Sequence, residues 1–535
     1  MNTKKQFRVL YLACVLVAGM ASPALRAQTY TMLHNFDWHA EGANPNQPAL
    51  LAQGQDGSLD GTLQTQLSGN GSAFSYSLAG YLTQLYDFTG LDGNTPQSGL
   101  SLGMDGSFYG TTETGGPLHY GTVFKLGSGG MTVLYEFTDG TDGAYPWAPP
   151  VQATNGDIYG VTNNGTNPGR AYRIKISSGG QFSVIATLPS GTQAPLILGQ
   201  DGNFYGTTPN GGTFNHGTVF RLATTGKVTV IHSFDDGTNP AAPVMQGTDG
   251  KLYGTTGWGG TYGEGIVYSL ATSGTYKVLH NFQLSEGARS TAGLVQSGTT
   301  LYGVTQVGGV NGVGTLFKIS TTGTGFAVLH QFASIDGAQP LSTPVLHTNG
   351  TIYGTTSTGG FPHSGYGALY SFSNGLPPFA SLVVVNSAKA GGSVGILGQG
   401  FLTATGVNFG TSPAGSFKVY SDTYLVATSG ADAITGKITV LEPGGNLVSL
   451  QTYKIIPVVT SLAPTQGKVG TTVTISGQSL SQTQSVTFGN VKATKLTISS
   501  NSSITAVVPA GAHTGHVVVT TAGGKATSTG TFTVN

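Results

Sequence analysis

Tyr109-Gly110-Thr111-Thr112 is the stretch whose reading decides the fold. The same four residues return at Tyr205–Thr208, Tyr253–Thr256 and Tyr353–Thr356. Tyr-Gly-Val-Thr stands at Tyr159 and Tyr302, and Asp60-Gly61-Thr62 is a worn copy. Successive copies begin 49, 50, 46, 48, 49 and 51 residues apart. Seven copies at a near-constant step are an array, and a period of ~40–50 residues points to a β-propeller.

Four strand-length segments recur in each period, here called a to d. Around residue 100 they are Pro96–Leu102, Ser107–Thr112, Gly121–Leu126 and Thr132–Phe137. The a–b connection is an acid or amide followed by glycine in six copies, as at Asp105-Gly106 and Asn349-Gly350, and Ser297-Gly298 in the other. Such pairs supply the positive φ of tight hairpins, so a and b pair antiparallel. The glycine inside each b segment is never replaced, which implies close approach by another group. Packing between neighbouring blades would require it.

The a, b and c segments number seven, from about Pro48 to Phe372, but only six d segments follow them. The missing one is Tyr30–Phe36, ahead of the array. The sequence therefore predicts a seven-bladed propeller over residues 28–375, closed by its N-terminal strand and left without free sheet edges.

Those blocks, together with Gly-Gly after the second segment and Val-Leu-His-x-Phe in the fourth, resemble the choice-of-anchor tandem repeat GloVer of secreted bacterial proteins. The resemblance covers most of residues 30–372; Asp60 and the third copy, which lacks Gly-Gly after Thr162, depart from it. It implies secretion and a repeat architecture, and no defined activity. The Gly-Gly is also loosely kelch-like.

Lys4, Lys5 and Arg8 precede an apolar run, Val9–Met20, with a cut expected after Ala27. Residues 1–27 read as a secretory signal peptide. The only cysteine, Cys14, falls within it, so the mature chain has no disulfide or thiol chemistry. Charged residues make up 8% of the chain and formally cancel, which removes the basic field that nucleic acid needs. No later apolar run is long enough to span a bilayer. A monomer is expected.

After Gly375-Leu-Pro-Pro378 the texture changes to Val, Thr, Ser and Gly. Residues 376–456 and 457–535 are two copies of one unit: Phe409-Gly410 matches Phe488-Gly489, and Gly444-Gly445 matches Gly523-Gly524, at a constant offset of 79. Their size suits an immunoglobulin-like sandwich. Gly-x-x-Val-x-Ile-x-Gly at Gly470–Gly477, with its counterpart at Gly391–Gly398, resembles the IPT/TIG family, which implies a spacer or binding role. The two sandwiches are expected to trail the ring as a stalk.

His34, His232, His280 and His330 share one repeat position with Tyr86 and Tyr135. A ring array spreads them apart, so each reads as a hydrogen-bonded structural aromatic rather than as one of a metal cluster. The acid-Gly pairs of the d–a loops, such as Asp142-Gly143 and Glu286-Gly287, read as turn closures. Asp235-Asp236 and Glu136/Asp139/Asp142 could hold calcium but lack the spacing of a calcium loop. No catalytic residue, metal or cofactor is expected.

In an up-and-down blade the d–a and b–c loops share one face. Trp38 and Trp147 fall in d–a loops; Trp258, Tyr120, Tyr262 and Tyr366 fall in b–c loops. Exposed aromatics beside polar groups suit sugar rings; the same residues could equally cover loop bases. The sequence thus points to a secreted or cell-surface, non-enzymatic binding protein whose partner is an extracellular glycan or a cell-surface protein. A polysaccharide hydrolase or lyase on the same scaffold and a purely structural surface protein are the alternatives.

Overall fold

The computed structural model describes residues 28–37, 42–43, 45, 51–65, 69–163, 168–235, 239–360, 365–384 and 387–535. Residues 1–27, expected to be a signal peptide, lie outside them. The described residues form seven four-stranded antiparallel sheets, then the sandwich sheets, with only two single 3-10 turns, Ile176–Ser178 and Phe401–Thr403. No helix among them is long and apolar enough to cross a membrane.

Blade 2 is representative: Ser101–Leu102, Phe108–Thr112, Thr122–Gly127 and Gly130–Glu136 run from the ring axis outward. Strand a is shorter than its sequence suggested, with two or three residues in the ladder of each blade. Blade 7 takes Val345–Leu346, Ile352–Thr356 and Ala368–Ser373 from the end of the array. Its outer strand is Thr29–Asn35, paired antiparallel from Thr29↔Ser373 to Asn35↔Ala368. Circular closure by the N-terminal strand is therefore present.

Closure reuses the contacts of the other blade junctions. Between blades 5 and 6, His280 stacks on Phe326 with centroids 3.8 Å apart. Between blades 6 and 7, His330 stacks on Tyr30 of the closing strand at 3.7 Å. The Tyr30 hydroxyl also donates to the Asp336 carbonyl at 2.6 Å. Near the axis, Gln152 accepts from the Met104 amide, Gln246 from Gln200 and Gln296 from Thr248, each reaching back to the preceding blade. Gln53 of blade 1 makes the same stitch to Thr348 of blade 7, at 3.0 Å.

The invariant b-strand glycine has a different cause from the one expected. Its close neighbour lies mainly in its own blade, not the next. Gly110 is paired with Phe124 of strand c, whose ring lies across it, so that a Cβ on Gly110 would sit 2.4 Å from Phe124 Cζ. Tyr172, Phe220, Tyr268, Phe317 and Tyr370 cover Gly160, Gly206, Gly254, Gly303 and Gly354 in the same way. The glycine gives up side-chain volume so that a cross-strand aromatic can lie flat in the blade core.

The repeat tyrosine closes its own a–b turn: the Tyr205 and Tyr253 hydroxyls donate to Asp201 and Asp249 at 2.8 and 2.9 Å. In the worn copy Asp60 takes that place, 2% exposed, accepting from the Ser58 hydroxyl at 2.7 Å. Burial pushes its carboxyl up to about 7, against the opposing hydrogen bonds of Ser58 and Ser75.

Beyond the ring, both C-terminal units carry the same buried T-shaped ring pair, Phe409–Tyr453 and Phe488–Phe532, at 5.1 and 5.2 Å. Each packs around its own apolar core. The first does not trail away as a stalk. It docks on the a–b turn face: Thr348 donates to the Gly398 carbonyl at 3.1 Å, and Ser421 and Thr423 donate to the Gln55 carbonyl at 2.9 and 2.7 Å. Lys454 reaches the Gln200 carbonyl, and Met104 packs on the sandwich core. The short Asp-Gly turns make that face flat enough to be covered. A chamber of about 640 Å³ remains between the a strands and the sandwich, bordered by Leu51, Leu100, Leu196, Leu294, Phe379 and Leu450.

Candidate functional site

With one mouth of the ring covered, the d–a and b–c loops form the uncovered face. Their backbone is a hydrogen-bonded rim. Thr95, Tyr145, Asn239, Arg289 and Gln339 hold equivalent positions in five of the d–a loops, all with left-handed φ between 53° and 61°. The Tyr145 N–H donates to Tyr120 of the preceding blade at 3.0 Å, and its carbonyl accepts from Asn163 of the next at 3.0 Å. Arg289 does the same between Glu264 and Gln306, and Gln339 between Val313 and Ser357. The left-handed turn is what lets one residue bond both neighbours. Paired glycines complete the b–c loop in five of the seven copies: a Cβ on Gly115 would lie 2.4 Å from the Asn94 amide of the adjoining strap. The backbone is thus alike from blade to blade while its side chains differ, a fixed support for variable recognition residues.

Two of the four repeat histidines bond a carboxylate of their own d–a loop. The His280 ring meets Glu286 at 2.6 Å and His330 meets Asp336 at 3.1 Å. Tyr135 donates to Asp142 at 3.0 Å in the equivalent place. Asp142 also accepts from the Thr138 hydroxyl and amide and from the Gly140 amide. These bonds occupy one of the carboxylates that the sequence offered as calcium ligands; of the other candidate pair, Asp236 lies outside the described residues. Among the described residues no three His, Cys, Asp or Glu side chains gather as a metal site.

The predicted aromatics fall into separate groups. Trp38 lies outside the described residues. Tyr120 meets Tyr145 of the next d–a loop at the junction of blades 2 and 3, ring centroids 5.9 Å apart, and Trp147 lies two residues beyond Tyr145 on that loop. Trp147 is half-buried, and its indole Nε1 is enclosed. Nearby, the Glu113 carboxyl is pushed up by burial, opposed by Gln97 and by the Trp147 indole. Trp258 and Tyr262 share the b–c loop of blade 5 and are open, 40% and 56% exposed. The Arg289 guanidinium lies over the Trp258 ring, 4.1 Å from its centroid. Tyr366 is half-buried in blade 7, away from both groups. A polar hollow of about 410 Å³ lies at the junction of blades 4 and 5, bordered by Gln193, Asn210, Asn215, His216 and Asn239.

Sequence reading missed Tyr145, Glu113 and Arg289. A signal for them exists: each occupies a fixed offset in its repeat, two residues after the d–a glycine or directly after Thr-Thr, where the residue type changes from copy to copy.

The arrangement is that of a seven-bladed propeller with immunoglobulin-like sandwiches, one mouth capped and the other edged by a variable rim. The chain belongs to the Gloeobacter/Verrucomicrobia repeat family, whose profile matches residues 22–196 and 191–424. An IPT/TIG domain profile matches residues 457–534. No curated protein matches the chain. Among solved structures it is similar to a fungal alcohol oxidase of the AA5 family in complex with copper, at 15% identity over 78% of this chain and 99% of that one, with a TM-score of 0.41. It is also similar to the surface glycan-binding protein PbSGBP-B from Prevotella bryantii, at 16% identity over 28% of this chain, with a TM-score of 0.22. A third is SGBP-B from a xyloglucan utilization locus in Bacteroides uniformis, at 19% identity over 29% of this chain, with a TM-score of 0.15. The chain spans 38% and 50% of those two glycan-binding proteins.

Proposed function

We propose that this chain is a secreted or cell-surface binding protein that holds an extracellular glycan on the loop face of its ring. The observation that carries the reading is the exposure of Trp258 and Tyr262 on the one face the first sandwich leaves uncovered. An indole and a phenol on one loop offer flat apolar surface, and the rim beside them offers amides and hydroxyls. Sugar rings need both, because their C–H faces pack on aromatic rings while their hydroxyls need partners. The rigid rim lowers the ordering cost of capture. In this reading the docked sandwich fixes the ring, and the second extends from it.

The test is a glycan array probed with the wild type and with Trp258→Ala/Tyr262→Ala. Loss of one stacking platform should weaken a bound glycan about ten-fold or more. Binding that survives this double change and alanine at Trp38 and Trp147 would reject the face assignment. Turnover of a polysaccharide by the wild type, abolished by one carboxylate change, would replace binding with catalysis.

A further inference from the structure

Arg289 stands out among the rim residues. The left-handed backbone it sits on is a property of the repeat, since Thr95, Tyr145, Asn239 and Gln339 share it. None of those four carries a charge, so the guanidinium is particular to this blade. Its Nε is buried without a hydrogen-bond partner. Among the described residues no carboxylate forms an ion pair with it. Glu264, one strap away, takes only its backbone N–H, at 3.0 Å. Arg170, elsewhere on this face, differs: its guanidinium is spent on the Thr141 and Pro168 carbonyls. The Arg289 guanidinium is held instead by the Trp258 ring, on the loop that carries exposed Tyr262.

A planar cation fixed on an indole, with its in-plane donors unused, matches a carboxylate, which accepts two parallel N–H bonds from guanidinium. The neighbouring aromatic surface suits the pyranose ring that would carry that carboxylate. We infer that the Trp258–Arg289–Tyr262 site takes an acidic saccharide, a uronate whose carboxylate pairs with Arg289. This rests on the glycan-binding reading above and narrows it to a charged class.

The probes are polygalacturonate, alginate and hyaluronan, with methyl-esterified polygalacturonate as the matched neutral chain and a sulfated galactan as the other anion. Wild type should bind at least one of the three uronate polymers, and in the galacturonate case lose affinity on esterification. Arg289→Ala should weaken uronate binding about ten- to a hundred-fold, with Arg289→Lys in between because it keeps charge but loses the fork. Thermal melts of both variants separate lost binding from lost folding. Equal binding of ester and acid, binding to none of the uronates, preference for the sulfated chain, or an unchanged Arg289→Ala variant each overturn the inference. Neutral-glycan binding that falls with Trp258→Ala but ignores Arg289→Ala would overturn the acidic class and leave the glycan reading standing. Absence of binding to any glycan would remove both.

Discussion

Asp60→Asn should stabilise the ring at neutral and alkaline pH and leave it unchanged near pH 4. Asp60 fills the place of the repeat tyrosine, almost fully buried, and its carboxyl is pushed from 3.8 up to about 7. Between those values the folded chain keeps a proton that the unfolded chain has released. Stability from this site is therefore greatest below pH ~4, falls as pH rises, and levels off above pH ~7. A shift of that size corresponds to about 4 kcal/mol across the window. Asparagine keeps the shape and a partner for Ser58 but never ionises. The difference in unfolding free energy, variant minus wild type, should grow by about 4 kcal/mol between pH 4 and pH 8. Denaturant unfolding at pH 4.5, 6 and 8 measures it, and taking the difference cancels every other titrating group. A difference constant to within about 0.5 kcal/mol over that range would refute the reasoning.

Four further outcomes rest on other contacts in the ring and its cap. His347, buried between blades 7 and 1 and bonded to the Gly57 carbonyl, has its pKa lowered to about 4 by burial, so its stability contribution, present above pH ~6.5, is lost as pH falls toward 4; in the same assay the advantage of wild type over His347→Gln should shrink on acidification, opposite in sign to Asp60. Gly110→Ala, whose Cβ would meet Phe124 at 2.4 Å, should cost about 1–3 kcal/mol, whereas Gly129→Ala, with nothing within 4 Å, should change stability by less than about 0.5 kcal/mol. Tyr30→Ala removes the stack on His330 and should cost about 3–5 kcal/mol, read as a lower melting temperature and faster proteolysis of the closing strand. Thr423→Arg puts a bulky charge against Gly57 and removes the bond to Gln55, so the sandwich should leave the ring, seen as new cleavage between residues 374 and 380 with the ring's circular dichroism unchanged.

The ring was legible in one dimension because each blade buries the same face in the same way. Tyr109-Gly110-Thr111-Thr112 marks strand b wherever it recurs, and an Asp-Gly turn needs only local backbone geometry. The closing strand could be found by counting, because a sheet edge left open would be costly. Contacts across the chain were not legible. That Gly110 yields to Phe124 and not to the next blade depends on register, and a strand pattern alone does not fix which strand pairs opposite.

The candidate site divides the same way. The expectation that Trp38, Trp147, Trp258, Tyr120, Tyr262 and Tyr366 share one face followed from the up-and-down order of the blade loops; Trp38 lies outside the described residues. Setting Trp147 half-buried beside Glu113 and Trp258 open beneath Arg289 required the rim, where straps from adjacent blades bond through a left-handed residue whose place in the repeat is fixed but whose partners in the neighbouring blades are not written in the sequence. The sequence by itself determined the blade count, the closure and the loop face, because these repeat and are set by local chemistry. Only the tertiary structure decided that the first sandwich caps the ring and that an arginine meets a tryptophan 31 positions earlier in the chain, because both depend on surfaces that meet once and leave no period to read.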